Sequence, residues 1–198
     1  MSHGHVHETS AGTSNRVKSL IAALEAANVL TEAQLDGAVE SFLTHAQPAN
    51  GARIVARAWV DAAFRRRLLD DGNAAVAELG IDLAHWAPVK LRVVANEPRN
   101  HNLIVCTLCS CYPLALLGPS PSWYKSEAYR SRAVRDPRGV LAEFGTQLGD
   151  DVEITVWDST AEVRYLVLPQ RPAGTQAASE EQLQALVTRN GMIGTALV

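Results

Sequence analysis

Leu103-Ile104-Val105-Cys106-Thr107-Leu108-Cys109-Ser110-Cys111 is the stretch on which the reading of this chain turns. Its first three residues form a short apolar run that reads as a buried strand. That strand leads straight into three thiols spaced C-x-x-C-x-C. The chain has 198 residues and three cysteines, all of them in this window. An odd, clustered set is unlike a secreted disulfide scaffold and points to a reducing, cytoplasmic home.

Working outward, Leu91, Val93 and Ala95 share one face of an alternating stretch and predict a second strand, and Val152 to Trp157 and Val163 to Leu168 predict two more. Pro113, Gly118, Pro119 and Pro121 read as a stiff loop, followed by short helices around Ser122 to Val134 and Pro137 to Phe144. Toward the N-terminus the period becomes helical from Ser14, with Val17, Leu20, Ile21 and Leu24 on one stripe. Thr31 and Gln34 have the spacing of a capping box, and open a second helix carrying Leu35, Val39, Phe42 and Leu43 that stops near Pro48. A third helical stretch covers Ala52 to Gly80, broken near Asp61, which can cap a new helix with Phe64, Leu68 and Leu69. Ser179 and Gln182 can cap the last helix. The expected fold class is α+β, a helical N-terminal arm on a layered α/β body with short strands and the cysteine loop between them. The expected domains are a flexible tail over 1–14 containing His3, His5 and His7, a helical arm over 15–85, and a catalytic domain over 86–198 that carries the thiols.

The charge balance is 18 − 21 = −3, which argues against a nucleic-acid or anionic-membrane binder. No run of about 18 apolar residues occurs, and Met1 to His7 lacks a basic-then-apolar leader. Arg65-Arg66-Arg67 resembles an anion site, but Asp70 and Asp71 follow within a helical turn, so a solvated, ion-paired face is expected.

Three thiols in six residues admit several chemistries. A zinc site needs four ligands, and only His101 is near enough in sequence to complete one. A thioredoxin-like pair leaves Cys111 unexplained, and inert buried thiols rarely cluster so tightly. The remaining reading recruits the backbone. If the Cys109 and Cys111 sulfurs bind one ion, the amide nitrogens of Ser110 and Cys111 reach it too, closing chelate rings of six, five and five atoms. Cys106 then supplies an axial sulfur and leaves the opposite position open for chemistry. Deprotonated amide donors demand a strongly polarising ion, for which trivalent cobalt or iron fits better than zinc.

The motif resembles V-C-[TS]-L-C-S-C of the nitrile hydratase α subunit. Ser122-Trp123-Tyr124-Lys125, Tyr129-Arg130-Ser131-Arg132, Asp136 to Leu141, Val156-Trp157-Asp158, Arg164 to Thr175 and Ile193-Gly194 are also similar to segments of that family. The resemblance implies hydration of a nitrile to its amide. Thr107 is the residue of cobalt-type members, where iron-type members carry Ser, so non-corrin Co(III) is implied and iron is the less favoured ion. It implies that Cys106, Cys109, Ser110 and Cys111 hold the metal, with Cys109 oxidised to sulfinic acid and Cys111 to sulfenic acid. The nucleophile is then the Cys111 sulfenate or a metal-activated water. Asp158 and Arg164 are implied to support the oxidised site; read without the family, Arg164 is an ordinary strand-edge residue. A β-type partner subunit whose Arg residues clamp the oxidised sulfurs is implied, as is a maturation factor that inserts cobalt.

The chain departs from the family where many relatives have a pocket tryptophan and this one has Leu114. Ala87-Pro88-Val89 stands where many have Gln-Gly-Glu. With Leu114 and Thr107 at the substrate pocket, the loss of the indole reads either as a wider site for a bulky aromatic or heterocyclic nitrile or as a neutral repacking of the loop. Two other readings stand beside this. One is the cobalt subunit of thiocyanate hydrolase, which shares C-T-L-C-S-C but acts on an anion and calls for added positive charge, absent between 107 and 122. The other is a non-catalytic metal-binding protein, prompted by His3, His5 and His7.

Overall fold

The structure, a computed structural model, describes residues 11–83, 89–109 and 111–198. The residues His3, His5, His7, Ala87, Pro88 and Ser110 lie outside the described residues. The chain divides into two compact units, Met1–His45 and Ala46–Val198.

The first unit carries helices α1 (Ala11–Ala26) and α2 (Glu32–His45). Residues 11–14, expected in the tail, are already helical because nothing in Ala-Gly-Thr-Ser stops the helix before its apolar stripe begins. The capping box forms as its spacing predicts: the Thr31 amide donates to Gln34 Oε1 at 2.8 Å, and the Gln34 amide to Thr31 Oγ1 at 3.1 Å.

The second unit opens with α3 (Pro48–Val60), α4 (Ala62–Asp70) and α5 (Gly72–Glu78). Pro48 begins α3 where its missing N–H costs nothing. Asp61 caps α4 by accepting from the amides of Ala63 and Phe64, and Asp71 caps α5 by accepting from Ala74. These helices were expected in the arm. Instead they pack into the body, since Ile54, Val55, Phe64, Leu68 and Val76 belong to the same buried cluster as the strands. The arginine run is ion-paired, though not with Asp70 or Asp71: Arg65 meets Glu97 at 3.0 Å and Arg67 meets Glu78 at 2.7 Å. Asp71 is occupied as a cap.

Four strands follow, β1 (Lys90–Ala95), β2 (Asn100–Val105), β3 (Glu153–Asp158) and β4 (Val163–Leu168), forming two parallel pairs. In one, β1 lies beside β4 with Leu91 opposite Arg164. In the other, β2 lies beside β3 with Val105 opposite Asp158. Parallel neighbours need long crossovers. The β2 to β3 connection contains α6 (Leu114–Leu117), a 3₁₀ turn (Ser122–Lys125), α7 (Glu127–Ala133) and α8 (Pro137–Glu143). The stretch around Pro113, expected as a loop, therefore contains one helical turn, closed by Gly118 at φ +68°. Last come α9 (Glu180–Leu186), opened by the expected Ser179–Gln182 box, and α10 (Arg189–Ile193). The body is α+β, and residues 103–105 and 166–168 sit at the centre of its core. Among the described residues no helix is long and apolar enough to cross a membrane.

Candidate metal centre

Strand β2 ends at Val105, and the cysteine loop leaves from its carboxyl end, where open parallel sheets commonly place their sites. Cys106 is fully buried, Cys109 exposed and Cys111 between the two. The Cys109 sulfur lies 3.2 Å from that of Cys106 and 3.0 Å from that of Cys111. A disulfide needs about 2.05 Å, so no disulfide joins the three. Among the described residues these three form the group of His, Cys, Asp or Glu side chains placed to share an ion.

The spacing tests which ion fits. Sulfurs bonded at about 2.3 Å to one ion stand about 3.3 Å apart at right angles and about 3.8 Å apart at the tetrahedral angle. Separations of 3.0 and 3.2 Å match the right-angled arrangement and disfavour tetrahedral zinc. The zinc reading also loses its fourth ligand. His101 is buried at the far end of β2, with Nε2 2.7 Å from the Gly194 carbonyl oxygen and Nδ1 3.2 Å from Asn96 Nδ2. The Ser110 amide, expected as a donor, lies outside the described residues.

Burial, and next the hydrogen bond with Cys109, push the Cys111 thiol up from 9.0 to about 12, while the Arg164 guanidinium pulls the other way. A thiol so placed keeps its proton at neutral pH until a bound cation displaces it.

The loop is held from several directions. Asp158, at the end of β3, accepts from the Thr107 amide at 2.9 Å and from its hydroxyl at 2.5 Å. The Thr107 hydroxyl is thus committed to Asp158, and Thr107 does not line the neighbouring cleft that Leu114 does. Arg164 donates to the carbonyls of Thr160 and Ala161, bracing the β3–β4 turn. Three further donors come from the segment after the loop. Tyr129 Oη donates to the Ile104 carbonyl at 2.6 Å, Arg130 Nη1 to that of Cys109 at 3.0 Å, and Tyr124 Oη to that of Cys111 at 3.0 Å. Sequence reasoning gave these three no role, although they lie in segments that carry the family resemblance, which was the available signal.

Beside the loop is a mainly apolar cleft of about 180 Å³ lined by Leu83, Val89, Leu91, Tyr112, Leu114 and Arg164, among others. Positive charge, absent from residues 107–122, reaches this cleft through Arg164 from β4. A second cleft of about 320 Å³, between Asn96, His101, Arg171 and Val198, includes no cysteine. Its Arg171 is occupied by the carbonyls of Trp59 and Thr175.

Comparison with known proteins places this arrangement. The sequence model of the nitrile hydratase α chain matches residues 11–196. The low-molecular-weight cobalt-containing nitrile hydratase α subunit of Rhodococcus rhodochrous is 50% identical over 182 residues, covering 92% of this chain and 87% of that one. The thiocyanate hydrolase γ subunit of Thiobacillus thioparus is 45% identical over 159 residues, 76% of this chain and 65% of that one. Among solved structures, a double mutant of the Fe-type nitrile hydratase from Comamonas testosteroni Ni1 superposes with a TM-score of 0.89 at 39% identity, covering 95% of this chain and 91% of that one. A match over nearly the whole length, cysteine loop included, is decisive: the chain belongs to the nitrile hydratase α-chain family, whose members are subunits of enzymes.

Proposed function

We propose that this chain is the metal-bearing subunit of a nitrile hydratase, hydrating a nitrile to the amide at a non-corrin Co(III) centre in complex with a β-type subunit. The observation that carries the reading is the sulfur cluster, whose 3.0 and 3.2 Å separations suit cis donors of one ion. Thr107 and the cobalt-containing relatives at 50% and 47% identity support cobalt over iron. When bound, Co(III) supplies a Lewis acid that polarises the nitrile.

The chain's own residues supply the rest. Cys106, Cys109, Cys111 and the amide nitrogens of Ser110 and Cys111 hold the ion. With Cys109 as sulfinic acid and Cys111 as sulfenic acid, the Cys111 oxygen would serve as the nucleophile, and a water is the other candidate. One water is added across the carbon–nitrogen triple bond, and its protons end on nitrogen. Asp158 fixes the loop through Thr107, and the Arg164 cation acts electrostatically on Cys111. Leu114 helps form an apolar wall suited to a bulky aromatic or heterocyclic nitrile. Action in the cytoplasm, with a maturation factor inserting cobalt, completes the proposal.

The test is co-expression with the partner subunit, metal analysis, and mass spectrometry of the cysteine peptide. One cobalt per chain, three added oxygens across Cys109 and Cys111, and faster turnover of a heteroaryl nitrile than of acrylonitrile are expected. Zinc with unmodified thiols overturns the reading, and a preference for acrylonitrile overturns the substrate class. Thiocyanate hydrolysis is the second reading, favoured by the relative at 45% identity and by Arg164 at the cleft. Assaying thiocyanate beside the nitriles decides between them.

A further inference from the structure

The segment 122–133 sends three donors to three carbonyls that bracket the cysteine loop: Ile104 before it, Cys109 within it and Cys111 at its end. Two of the donors are neutral phenols, while the one between the cysteines is a guanidinium. Arg130 leaves the last turn of α7, a helix anchored by the Ser126 cap and by buried Tyr129, so its base is fixed by packing. Its Nη1 lies 3.0 Å from the Cys109 carbonyl oxygen. Its Nε is buried and has no hydrogen-bond partner among the described residues. A buried donor left unmade is costly, and more so on a charged group.

We infer that Arg130 is a positioning residue of the metal centre, holding the Cys109 peptide with a charge-assisted hydrogen bond and balancing the negative charge that the loaded sulfur cluster gathers. A charge-assisted hydrogen bond to a cation on a packed helix restrains the Cys109 carbonyl it holds. The guanidinium is a cation with a planar fork of donors, which here holds a further donor on Nε. The inference rests on the reading of this chain as a cobalt subunit.

The experiment uses the full complex co-expressed with cobalt, comparing wild type with Arg130→Gln, Arg130→Lys and, as a charge control on the exposed surface, Arg135→Gln. The readouts are cobalt per chain, the sulfur-to-cobalt absorption band, and the mass of the cysteine peptide. Losing a group that supports metal ligands typically lowers metal affinity roughly 10- to 100-fold. Arg130→Gln is expected to lose cobalt on that scale under competition with a chelator and to shift the absorption band. Arg135→Gln is expected to match wild type. Arg130→Lys is expected to keep cobalt within about threefold of wild type, because the cation remains, but with a displaced band because the fork is gone. If Arg130→Gln matches wild type in all three readouts, the role is overturned. If it does not accumulate as folded protein, Arg130→Lys decides, and an unchanged band with unchanged cobalt overturns the role. A wild-type complex without cobalt defeats the underlying reading instead, leaving the two failures distinguishable.

Discussion

Strand β2 carries metal-ligating residue types at both ends, His101 near its start and Cys106 just past its finish, and the two ends are built in opposite ways. At the start the buried polar side chains are paired with one another. His101 is bonded through both nitrogens, Asn96 Oδ1 accepts from the Asn102 amide at 2.8 Å, and Trp157 Nε1 donates to Asn102 Oδ1 at 2.8 Å. At the finish, backbone carbonyls are gripped from outside while three sulfurs face one another without forming a disulfide. The difference separates a buried polar group that completes a core from one that serves chemistry. In the first the donors and acceptors cancel locally, and in the second like groups are forced together.

The contrast breaks most visibly at the sulfur end. Cys109→Ser should lower cobalt retention and nitrile turnover by more than about 100-fold, because an exposed ligand is removed while the core is untouched. The thermal midpoint of the metal-free chain should stay within a degree or two; full cobalt occupancy in this variant would end the ligand assignment. The converse change is Gly194→Ala at the histidine end. Gly194 has φ +93°, and a Cβ there would run into the Asn102 carbonyl oxygen. A loss of about 3 kcal/mol or more is expected in urea unfolding, or no folded protein at all. Wild-type stability would show the histidine end to be less tightly built than argued.

Asp158→Asn probes the link between loop and strand. It removes the acceptor of the Thr107 hydroxyl, and cobalt affinity should fall roughly 10-fold, with about 1 kcal/mol lost from stability. Thr107→Ser keeps both donors and should lie much nearer wild type; equal losses in the two variants would contradict the account. The smallest effect is a pH dependence. Burial lowers the His101 pKa below 6.5. The unfolded chain therefore takes up a proton before the folded one does, and stability is lost as pH falls below about 6.5 toward the folded value. Unfolding midpoints measured between about pH 7 and about pH 5 should fall more for wild type than for His101→Gln, and parallel curves would remove His101 from the account.

What was legible in the sequence was local. Thr31–Gln34 and Ser179–Gln182 are pairs three residues apart, and the Val163–Leu168 pattern is visible without a partner. The C-x-x-C-x-C spacing is local as well, which is why the sulfur cluster could be foreseen. The turn Leu114–Leu117 was missed because flanking Pro and Gly signal a loop, while a single helical turn between them is decided by burial of Leu116 and Leu117. The parallel pairing of β2 with β3 leaves no mark on either strand, so the Thr107–Asp158 contact, 51 residues apart, has no sequence signature. Arg164 reaches the cleft only because β4 lies beside β1 with Arg164 opposite Leu91. The amphipathic stripes of α3 to α5 do not state which surface they cover, so their place in the body has no mark in the sequence.

The Thr107–Asp158 clasp also orders events in time. A loop closed by a residue 51 positions later has no defined shape until the intervening helices have formed and β3 has docked. In zinc fingers, capture of the ion supplies the free energy of folding. Here the reverse order is expected: a loop closed by this contact takes shape with the fold, so that an ion would load onto the folded chain.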